Sequence, residues 1–272
     1  MAATTIVEQG VAIADVLIVH NRAGRKPLTN ASTFRTLELP RNLGYAAGMN
    51  AGVASTIDNA DLVLLITHDT RLEPGCLTVL IDCMTADPSL GLVGPALRHR
   101  DSQEIFSVGG FITAREAGHV ADVADRRGLA WVDGAALLVR PALFRQVRFE
   151  ERFFMYWEDV EFSLAAQRKG WTVETVPAAF AQQRVGLVHR GAMGAVLDAR
   201  NRLEVYRREF GWAAVAGQVA LLVRRDAAQV WHARSFRARA DVRQTWLGTL
   251  AGIAAFVLRR FGVPRSVRRD DW

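Results

Sequence analysis

The amino-acid sequence predicts an α/β fold with a helical extension at its C-terminal end. Over residues 1–199, short apolar runs alternate with longer mixed segments, which is the pattern of strands that alternate with helices. Several of these runs are nearly continuous in Val, Ile and Leu, which is typical of strands covered on both faces and favours a mainly parallel central sheet. After about residue 200 the strand pattern stops, and long segments rich in Ala, Arg and Val predict helices.

Six apolar runs are predicted as strands because each is short and bounded by polar or turn-forming residues: Asp15–His20, Arg35–Leu39, Asp61–Thr67, Leu92–Pro95, Trp131–Arg140 and Thr172–Val176. Three helices are predicted between them, at Ala46–Ser55, Gly75–Ala86 and Val160–Lys169. Proline and glycine bracket the second of these helices, as they do at helix ends. We expect residues 1–205 to form the α/β domain and residues 206–272 to form a basic, apolar helical extension.

The composition excludes several classes of protein. Of the 272 residues, 50% are hydrophobic and 23% are charged, which excludes disorder of the whole chain. Cys76 and Cys83 cannot build a disulfide framework and therefore favour a reducing cytoplasm. The chain does not open with a basic segment followed by an apolar one, which argues against secretion.

The predicted extension combines positive charge with apolar runs. From Arg200 to Trp272 there are 15 arginines and six acidic residues. This excess of positive charge predicts that the region binds an anionic partner. Gly211–Val223 and Thr245–Leu258 carry no charge, but each is shorter than the roughly 20 residues that span a membrane. Their arginine and tryptophan flanks suit helices that lie on an anionic membrane surface. Packing against the domain, or against a second copy in a homodimer, remains an alternative, whereas the apolar runs argue against a nucleic-acid partner.

The segment Arg41–Gly52 contains glycine at every fourth position, namely Gly44, Gly48 and Gly52. On a helix these glycines form one smooth stripe, which allows close approach to a sheet or to a ligand backbone. Asn42 stands at the expected N-cap, so the free amides of this helix could face a phosphate. A glycine stripe is more often a packing surface than a binding site, and both interpretations stay open.

Two further segments carry candidate chemical groups. The apolar strand from Asp61 ends in the polar cluster Thr67–Thr70, where Asp69 could hold a divalent cation against a diphosphate, or could serve as a turn residue. In Phe153–Phe162, large apolar side chains come directly before Glu158 and Asp159. Apolar surroundings raise the basicity of a carboxylate, which suits a general base, although acids also cap helix N-termini.

Taken together, these blocks resemble the family 2 glycosyltransferases, and especially their rhamnosyltransferase-like branch, over roughly residues 15–205. The family pattern N-x-G-[FY]-x-x-[GA]-x-N-x-G matches from Asn42 to Gly52, and a strand ending in a metal motif matches Thr67–Thr70. A V-x-G-A-x-x-L-[IV]-R segment matches Val132–Arg140, and the F-F-M-Y-x-E-D block matches Phe153–Asp159. Thr67 stands where the family has an acidic or amide residue. The segment before Asp15 is too short for the first strand and helix of the family, so we expect an N-terminally shortened domain.

The resemblance implies a GT-A fold and sugar transfer, with inversion, from a nucleotide-diphosphate donor such as dTDP-rhamnose or a UDP-sugar. The acceptor would be a hydroxyl of a glycan or lipid-linked molecule in cell-surface polysaccharide synthesis, in the cytoplasm or peripherally on the inner face of the plasma membrane. A weakened relative that serves as a binding or assembly module is the alternative.

The resemblance also assigns residues. Asp159 would be the catalytic base, and Asp69 with His189 would bind Mg²⁺ or Mn²⁺. The residues assigned to the nucleotide sugar are His20, Asn21, Asn42, Gly44, Gly48, Asn50 and His68, and those assigned to the acceptor are Gly134, Ala135, Trp157 and Glu158.

Overall fold

The structure is a computed structural model, and it describes residues 2–21, 33–122, 128–184, 191–232 and 236–262. The strands are β1 (Leu17–His20), β2 (Arg35–Glu38), β3 (Val63–Ile66), β4 (Arg71–Leu72), β5 (Leu90–His99), β6 (Ile105–Ser107), β7 (Gly110–Ile112), β8 (Ala117–His119), β9 (Ala136–Val139) and β10 (Thr172–Gln183). The helices are α1 (Ala2–Glu8), α2 (Gly44–Ala54), α3 (Cys76–Ala86), α4 (Pro141–Gln146), α5 (Glu158–Arg168), α6 (Gly191–His232) and α7 (Phe236–Val257).

The chain divides into two compact units that alternate along the sequence. The first comprises Met1–Phe111, Ala117–Glu150 and Asp159–Val185, and the second comprises Ile112–Glu116, Glu151–Glu158 and Gly186–Trp272. The boundary predicted at residue 205 lies within α6, and the division of the chain into two domains there stays a prediction.

The main sheet of the first unit is mixed. Its strands are ordered β3-β9-β5-β10-β4, with β6 also paired to β5. β10 runs parallel to β5, whereas β9 lies antiparallel between β3 and β5, and β4 is antiparallel to β10. The α/β class is therefore as predicted, but the expectation of a mainly parallel sheet was wrong. A continuous apolar run reports that a strand is covered on both faces and does not report its direction.

All six predicted strands exist, with changed lengths. The run Trp131–Arg140 is a strand only over its last part, β9, because Gly134 and Ala135 form a turn before it. The strand predicted at Thr172–Val176 extends to Gln183 as β10. The sequence did not predict α1, α4, β4 or β6–β8, all of which are short elements.

Side chains alternate between the two faces of the sheet, and each face has its own core. On β9, Ala136 and Leu138 join the cluster that contains Leu80 and Met84 of α3. Leu137 and Val139, which point the other way, join a second cluster with aromatic residues of α4 and α5 and with apolar residues of α2. Helices therefore cover both faces, as the apolar strands indicate.

The glycine stripe of α2 packs closely against β1 and the residue that follows it. A β-carbon added at Gly52 would lie 2.8 Å from Val19 Cγ2, and one at Gly48 would lie 3.0 Å from Asn21 Nδ2. Two of the three glycines, Gly48 and Gly52, therefore lie on a packing surface, as one of the two interpretations predicts. Before β1, the described residues contain α1 and one 3-10 turn, and β1 pairs in parallel with β2 in a separate two-stranded sheet.

In the second unit, α6 and α7 pack against each other. A β-carbon at Gly252 would lie 2.5 Å from the carbonyl oxygen of Val196, and one at Gly248 would meet the carbonyl of Ala192. α6 breaks at Gly211, whose φ is 77°. Within the described residues, no helix has the length and apolar character needed to cross a membrane.

Candidate active site

The turn that precedes β9 connects three other elements of the first unit. The backbone amide of Gly134 donates a hydrogen bond to Asp159 Oδ2, near the start of α5, at 2.9 Å. The carbonyl of Gly134 accepts a hydrogen bond from the hydroxyl of Tyr45, on α2, at 2.5 Å. The backbone N–H and C=O of Gly134 are therefore both hydrogen-bonded, and these two bonds place the Asp159 carboxylate beside α2.

The next carbonyl in this turn holds the polar cluster that follows β3. The amide of Thr67 donates to the carbonyl of Ala135 at 3.0 Å. The hydroxyls of Thr67 and Thr70 lie 2.7 Å apart, and they close the turn that carries His68 and Asp69. Hydrogen bonds thus connect the predicted metal motif and the predicted base to adjacent residues of one turn.

Gly134 leaves little space for a side chain at this point. A β-carbon there would lie 3.1 Å from the Tyr45 hydroxyl oxygen and 3.2 Å from Asp159 Cβ. The glycine in the V-x-G-A segment therefore allows Tyr45 and Asp159 to approach the turn backbone from two sides.

The pKa of Asp159 is raised above that of an ordinary aspartate. Burial is the largest cause, and the negative charge of Asp133 adds to it. The amides of Gly134 and Val160, which both donate to the carboxylate, and the nearby His119 oppose the shift. A carboxylate with a raised pKa accepts a proton more readily, so this group is suited to general-base chemistry.

Asp133 and His119 belong to the electrostatic surroundings of Asp159, and the sequence did not single them out. Asp133 is buried; one of its carboxylate oxygens accepts a hydrogen bond from the hydroxyl of Ser107, and the other lies 3.2 Å from His119 Nδ1. The His119 side chain is 49% exposed, and its ring packs edge-on against Trp131. An acidic residue within an apolar run is a signal that could have identified Asp133.

Asp69 fits a site for a hard cation that is held mainly by its substrate. Its side chain is partly exposed in the turn after β3, and within the described ranges its carboxylate has no hydrogen-bond or ion-pair partner. No group of three or more metal-binding side chains occurs in the described part of the chain. One carboxylate plus diphosphate oxygens is a ligand set that Mg²⁺ accepts. His189, the second predicted ligand, lies outside the described residues.

Six of the seven residues predicted to bind the nucleotide sugar lie around β1 and α2, and the seventh, His68, follows β3. His20 Nδ1 lies 2.5 Å from a carboxylate oxygen of Glu38 on the neighbouring strand. Asn21 accepts from the amide of Leu43 and donates to the carbonyl of Gly44, so it fixes the start of α2. The N-cap is Leu43 and not Asn42, because the helix begins at Gly44; Asn42 instead accepts a hydrogen bond from the amide of Gly44.

Asn50 has a structural role in the described site. Its side-chain amide donates to the carbonyl of Phe149 and accepts from the amide of the same residue, at 3.0 and 3.1 Å. Gly48 packs against Asn21, as described above. The assignment of these residues to the donor site stays a prediction, and so does that of His68, which is exposed after β3.

Trp157 and Glu158, predicted to contact the acceptor, belong to the second unit. The indole nitrogen of Trp157 donates to Asp198 at 2.9 Å, and the guanidinium of Arg202 lies 5.4 Å from the centre of its ring system. Glu158 is buried at the first position of α5.

Comparison with known proteins places the chain in a family and identifies sequence relatives. The pattern of the family described as "Glycosyl transferase family group 2" matches residues 62–258. The chain is 26% identical over 264 aligned residues to the N-acetylglucosaminyl-diphospho-decaprenol L-rhamnosyltransferase of Mycobacterium tuberculosis, in two strains. The alignment covers 86% of this chain and 78% of that enzyme.

Solved structures with a similar fold are distant in sequence. GalNAc-T7 with UDP, GalNAc and Mn²⁺ superposes with a TM-score of 0.59 at 10% identity, over 97% of this chain but only 55% of that protein. The mannosyltransferase PcManGT from Pyrobaculum calidifontis, in complex with GDP-Man and Mn²⁺, has a TM-score of 0.55 at 15% identity and covers 94% of this chain and 82% of that protein. These similarities confirm the predicted GT-A fold.

Proposed function

The chain belongs to the glycosyl transferase family group 2, and from this premise we propose that it transfers a sugar from a nucleotide-diphosphate donor to an acceptor hydroxyl with inversion. One observation carries the proposal. The partly buried carboxylate of Asp159, with its raised pKa, is held by Gly134, and the next residue, Ala135, holds the turn that carries Asp69. A base and an acidic diphosphate-binding turn are the two groups that such a reaction requires.

In the proposed reaction, Asp159 accepts the proton of the acceptor hydroxyl. The hydroxyl oxygen forms a bond to the anomeric carbon while the bond from that carbon to the diphosphate oxygen breaks on the opposite face, and the diphosphate leaves with the bonding electrons. A single displacement of this kind inverts the anomeric centre. The hydrogen bonds from Gly134 and Val160 keep the carboxylate in one orientation during the transfer.

The donor diphosphate would be held near the end of β3. Asp69 would bind Mg²⁺ or Mn²⁺ there, and the bound cation would neutralise negative charge on the leaving diphosphate. The residues around β1 and the start of α2 would contact the nucleotide. dTDP-rhamnose is the donor we favour because the curated relative is named as an L-rhamnosyltransferase, and a UDP-sugar is the alternative.

We propose that the acceptor is a glycan or a lipid-linked molecule in the synthesis of a cell-surface polysaccharide. The support is the name of the mycobacterial relative, which specifies a diphospho-decaprenol acceptor. Gly134 and Ala135 would contact the acceptor close to Asp159. The assignment of Trp157 and Glu158 to the acceptor stays a prediction.

A lipid-linked acceptor implies work at a membrane surface, and α6 and α7 have a surface suited to it. Large apolar side chains are exposed on these two helices and at the end of α7: Trp212, Leu221, Trp231, Leu247, Leu250, Val257 and Leu258. Exposed arginines accompany them, including Arg224, Arg243 and Arg259. Apolar and basic side chains together fit an anionic leaflet, so we propose peripheral attachment to the inner face of the plasma membrane. A homodimer through Thr245–Leu258 is the competing use of the same surface.

The test is a transfer assay with purified full-length protein, dTDP-rhamnose or UDP-sugars, Mn²⁺ or Mg²⁺ and a polyprenyl-diphosphate-linked N-acetylglucosamine acceptor. We expect a glycosylated lipid product of inverted configuration, and loss of product when EDTA removes the metal. Nucleotide binding without transfer to any glycan or lipid-linked acceptor would contradict the proposal and favour the binding or assembly module.

A further inference from the structure

The loop that leads into the proposed catalytic helix has a strained backbone. Phe154, Tyr156 and Trp157 have φ angles of 68°, 69° and 70°, in the left-handed region that L-residues other than glycine rarely adopt. Bulky aromatic residues are among the least suited to this region, so the loop does not hold this shape by itself. Strained backbone of this kind persists where surrounding contacts over-determine it, and such places cluster at functional sites.

Asn201 of α6 supplies a large part of those contacts. Its side-chain nitrogen lies within hydrogen-bond distance of three carbonyl oxygens of the loop, at 3.0 Å from Phe153, 2.9 Å from Met155 and 2.8 Å from Tyr156. Asn201 is fully buried, so water does not compete for these carbonyls. One amide group therefore lies within hydrogen-bond distance of three carbonyls of this loop.

Arg200, the preceding residue, fixes the base of the same loop. Its guanidinium is fully buried and donates to the carbonyls of Phe153 at 3.0 Å and Arg152 at 3.4 Å. It also donates to the carbonyl of Gly262, beyond α7. Burial lowers the pKa of Arg200 to about 10, so the group remains charged at neutral pH. Its Nε donates to the side-chain oxygen of Asn201 at 2.9 Å, which orients the Asn201 amide towards the loop.

We propose that Arg200 and Asn201 are positioning residues that hold the loop of residues 153–157 in its strained form and thereby set the start of α5. The loop ends where α5 begins, and Asp159 is the second residue of that helix. A change in the loop therefore changes the direction in which α5 starts and with it the placement of the carboxylate. The proposal rests on the proposed function for its effect on turnover, whereas its effect on the loop is independent of that function.

The pattern of hydrogen bonds separates positioning from general stabilisation. The hydrogen bonds that Arg200 and Asn201 donate to this loop go to backbone carbonyls, so they select a backbone conformation. A buried polar pair elsewhere in the same unit provides a matched control. The hydroxyl of Thr249 on α7 donates to Asp226 on α6 at 2.6 Å, and both side chains are buried.

The experiment compares Asn201→Ala, Asn201→Asp and Arg200→Lys with Thr249→Val in the full chain. We expect kcat to fall about 100-fold in Asn201→Ala with little change in donor KM, because misplacement of a reacting group by about 1 Å has effects of that size. In Asn201→Asp, kcat should fall further than in Asn201→Ala, since a carboxylate facing three carbonyls repels them. In Arg200→Lys, kcat should fall less, because a charged donor remains. Thr249→Val should keep the parental kcat even if its melting temperature drops as much as that of Asn201→Ala.

Amide hydrogen exchange over residues 153–159 gives a readout that does not need activity. Faster exchange in Asn201→Ala than in the parent, with parental exchange in Thr249→Val, is the expected result. Parental exchange and a kcat within twofold in Asn201→Ala would overturn the proposal. If the parent protein transfers no sugar, the proposed function fails, and the exchange measurement alone decides whether Arg200 and Asn201 hold the loop.

Discussion

The backbone amide of Gly134 hydrogen-bonds to Oδ2 of Asp159 at 2.9 Å, and it joins the turn before β9 to the start of α5. This bond stabilises the ionised carboxylate, while burial and the charge of Asp133 favour the protonated form more strongly. The carboxylate is therefore both oriented and basic. Loosely held carboxylates on a protein surface have neither property.

Replacing Gly134 by alanine tests the orientation directly. The added methyl group would lie 3.1 Å from the Tyr45 oxygen and 3.2 Å from Asp159 Cβ, so one of the two must shift. We expect a loss of stability of about 1–3 kcal/mol from overpacking and a fall in kcat of roughly tenfold or more. Thermal melting and transfer kinetics measure the two effects.

The control for this substitution is Gly217→Ala in α6, where an added β-carbon meets no atom within 4 Å. Alanine is favoured over glycine in a helix by up to about 1 kcal/mol, so this variant should melt at or above the parental temperature and retain activity. If Gly134→Ala retained the parental kcat, close packing at Gly134 would not matter for the reaction.

The pH dependence of turnover should shift in opposite directions when the two charges near Asp159 are removed. Asp133 raises the pKa of Asp159 and His119 lowers it. Because the base must be deprotonated, kcat falls on the acid side as pH drops through the pKa of Asp159. Asp133→Asn should move this acid limb to lower pH, and His119→Gln should move it to higher pH.

Measured kcat against pH for both variants and for His99→Gln checks this prediction. His99 packs against Phe106, so its removal should leave the limb in place. Shifts of the same sign in the Asp133 and His119 variants would show that the limb reports some other group.

Asp69→Ala should abolish metal-dependent stabilisation by nucleotide. Ligand at 100 times its Kd stabilises the folded state by about 2.7 kcal/mol, which raises Tm by several degrees. We expect UDP or dTDP with Mn²⁺ to raise the Tm of the parent and of Asp61→Ala, an exposed acid before the same strand, but not that of Asp69→Ala. An equal shift in all three proteins would remove Asp69 from the donor site.

The exposed tryptophans of α6 should govern attachment to lipid. Trp212 and Trp231 are 63% and 85% exposed, and their replacement by serine removes apolar contact while leaving the arginines. Co-sedimentation with vesicles of graded anionic-lipid content should show binding by the parent that weakens with salt, and much weaker binding by the double variant. Ile81→Ser, at an exposed apolar residue of α3, should bind like the parent. If vesicle binding depended neither on lipid charge nor on the two tryptophans, and the protein formed a stable dimer in solution, the homodimer would be favoured.

Local pattern was enough to predict the class of fold and several elements. The glycines of the α2 segment and the apolar runs of β3, β5 and β10 carry strong periodic signals. Strand direction was not predictable, because β9 is apolar on both faces although it runs antiparallel to its neighbours. The direction of a strand depends on how segments that are distant in sequence pair in the sheet. The apolar sequence of a single strand does not encode this pairing.

In the candidate site, too, some residues could be predicted from local sequence and others could not. Asp159 and Asp69 were predicted from motifs, since their neighbours in sequence resemble those of a known family. Asp133 and His119 were not, because the contact between them joins the turn before β9 to β8 and exists only in the folded chain. The N-cap of α2 was misplaced by one residue because Asn21, remote in sequence, fixes the helix start.

The most direct test of the account is the comparison of Asp159→Asn with the parent protein in the sugar-transfer assay, with nucleotide binding measured in parallel. The amide has the shape of the carboxylate but does not accept the acceptor's proton, so we predict that kcat falls by a factor of about 100 to 10,000 while nucleotide affinity stays within a few-fold. Transfer by Asp159→Asn at the parental rate would contradict the assignment of Asp159 as the catalytic base.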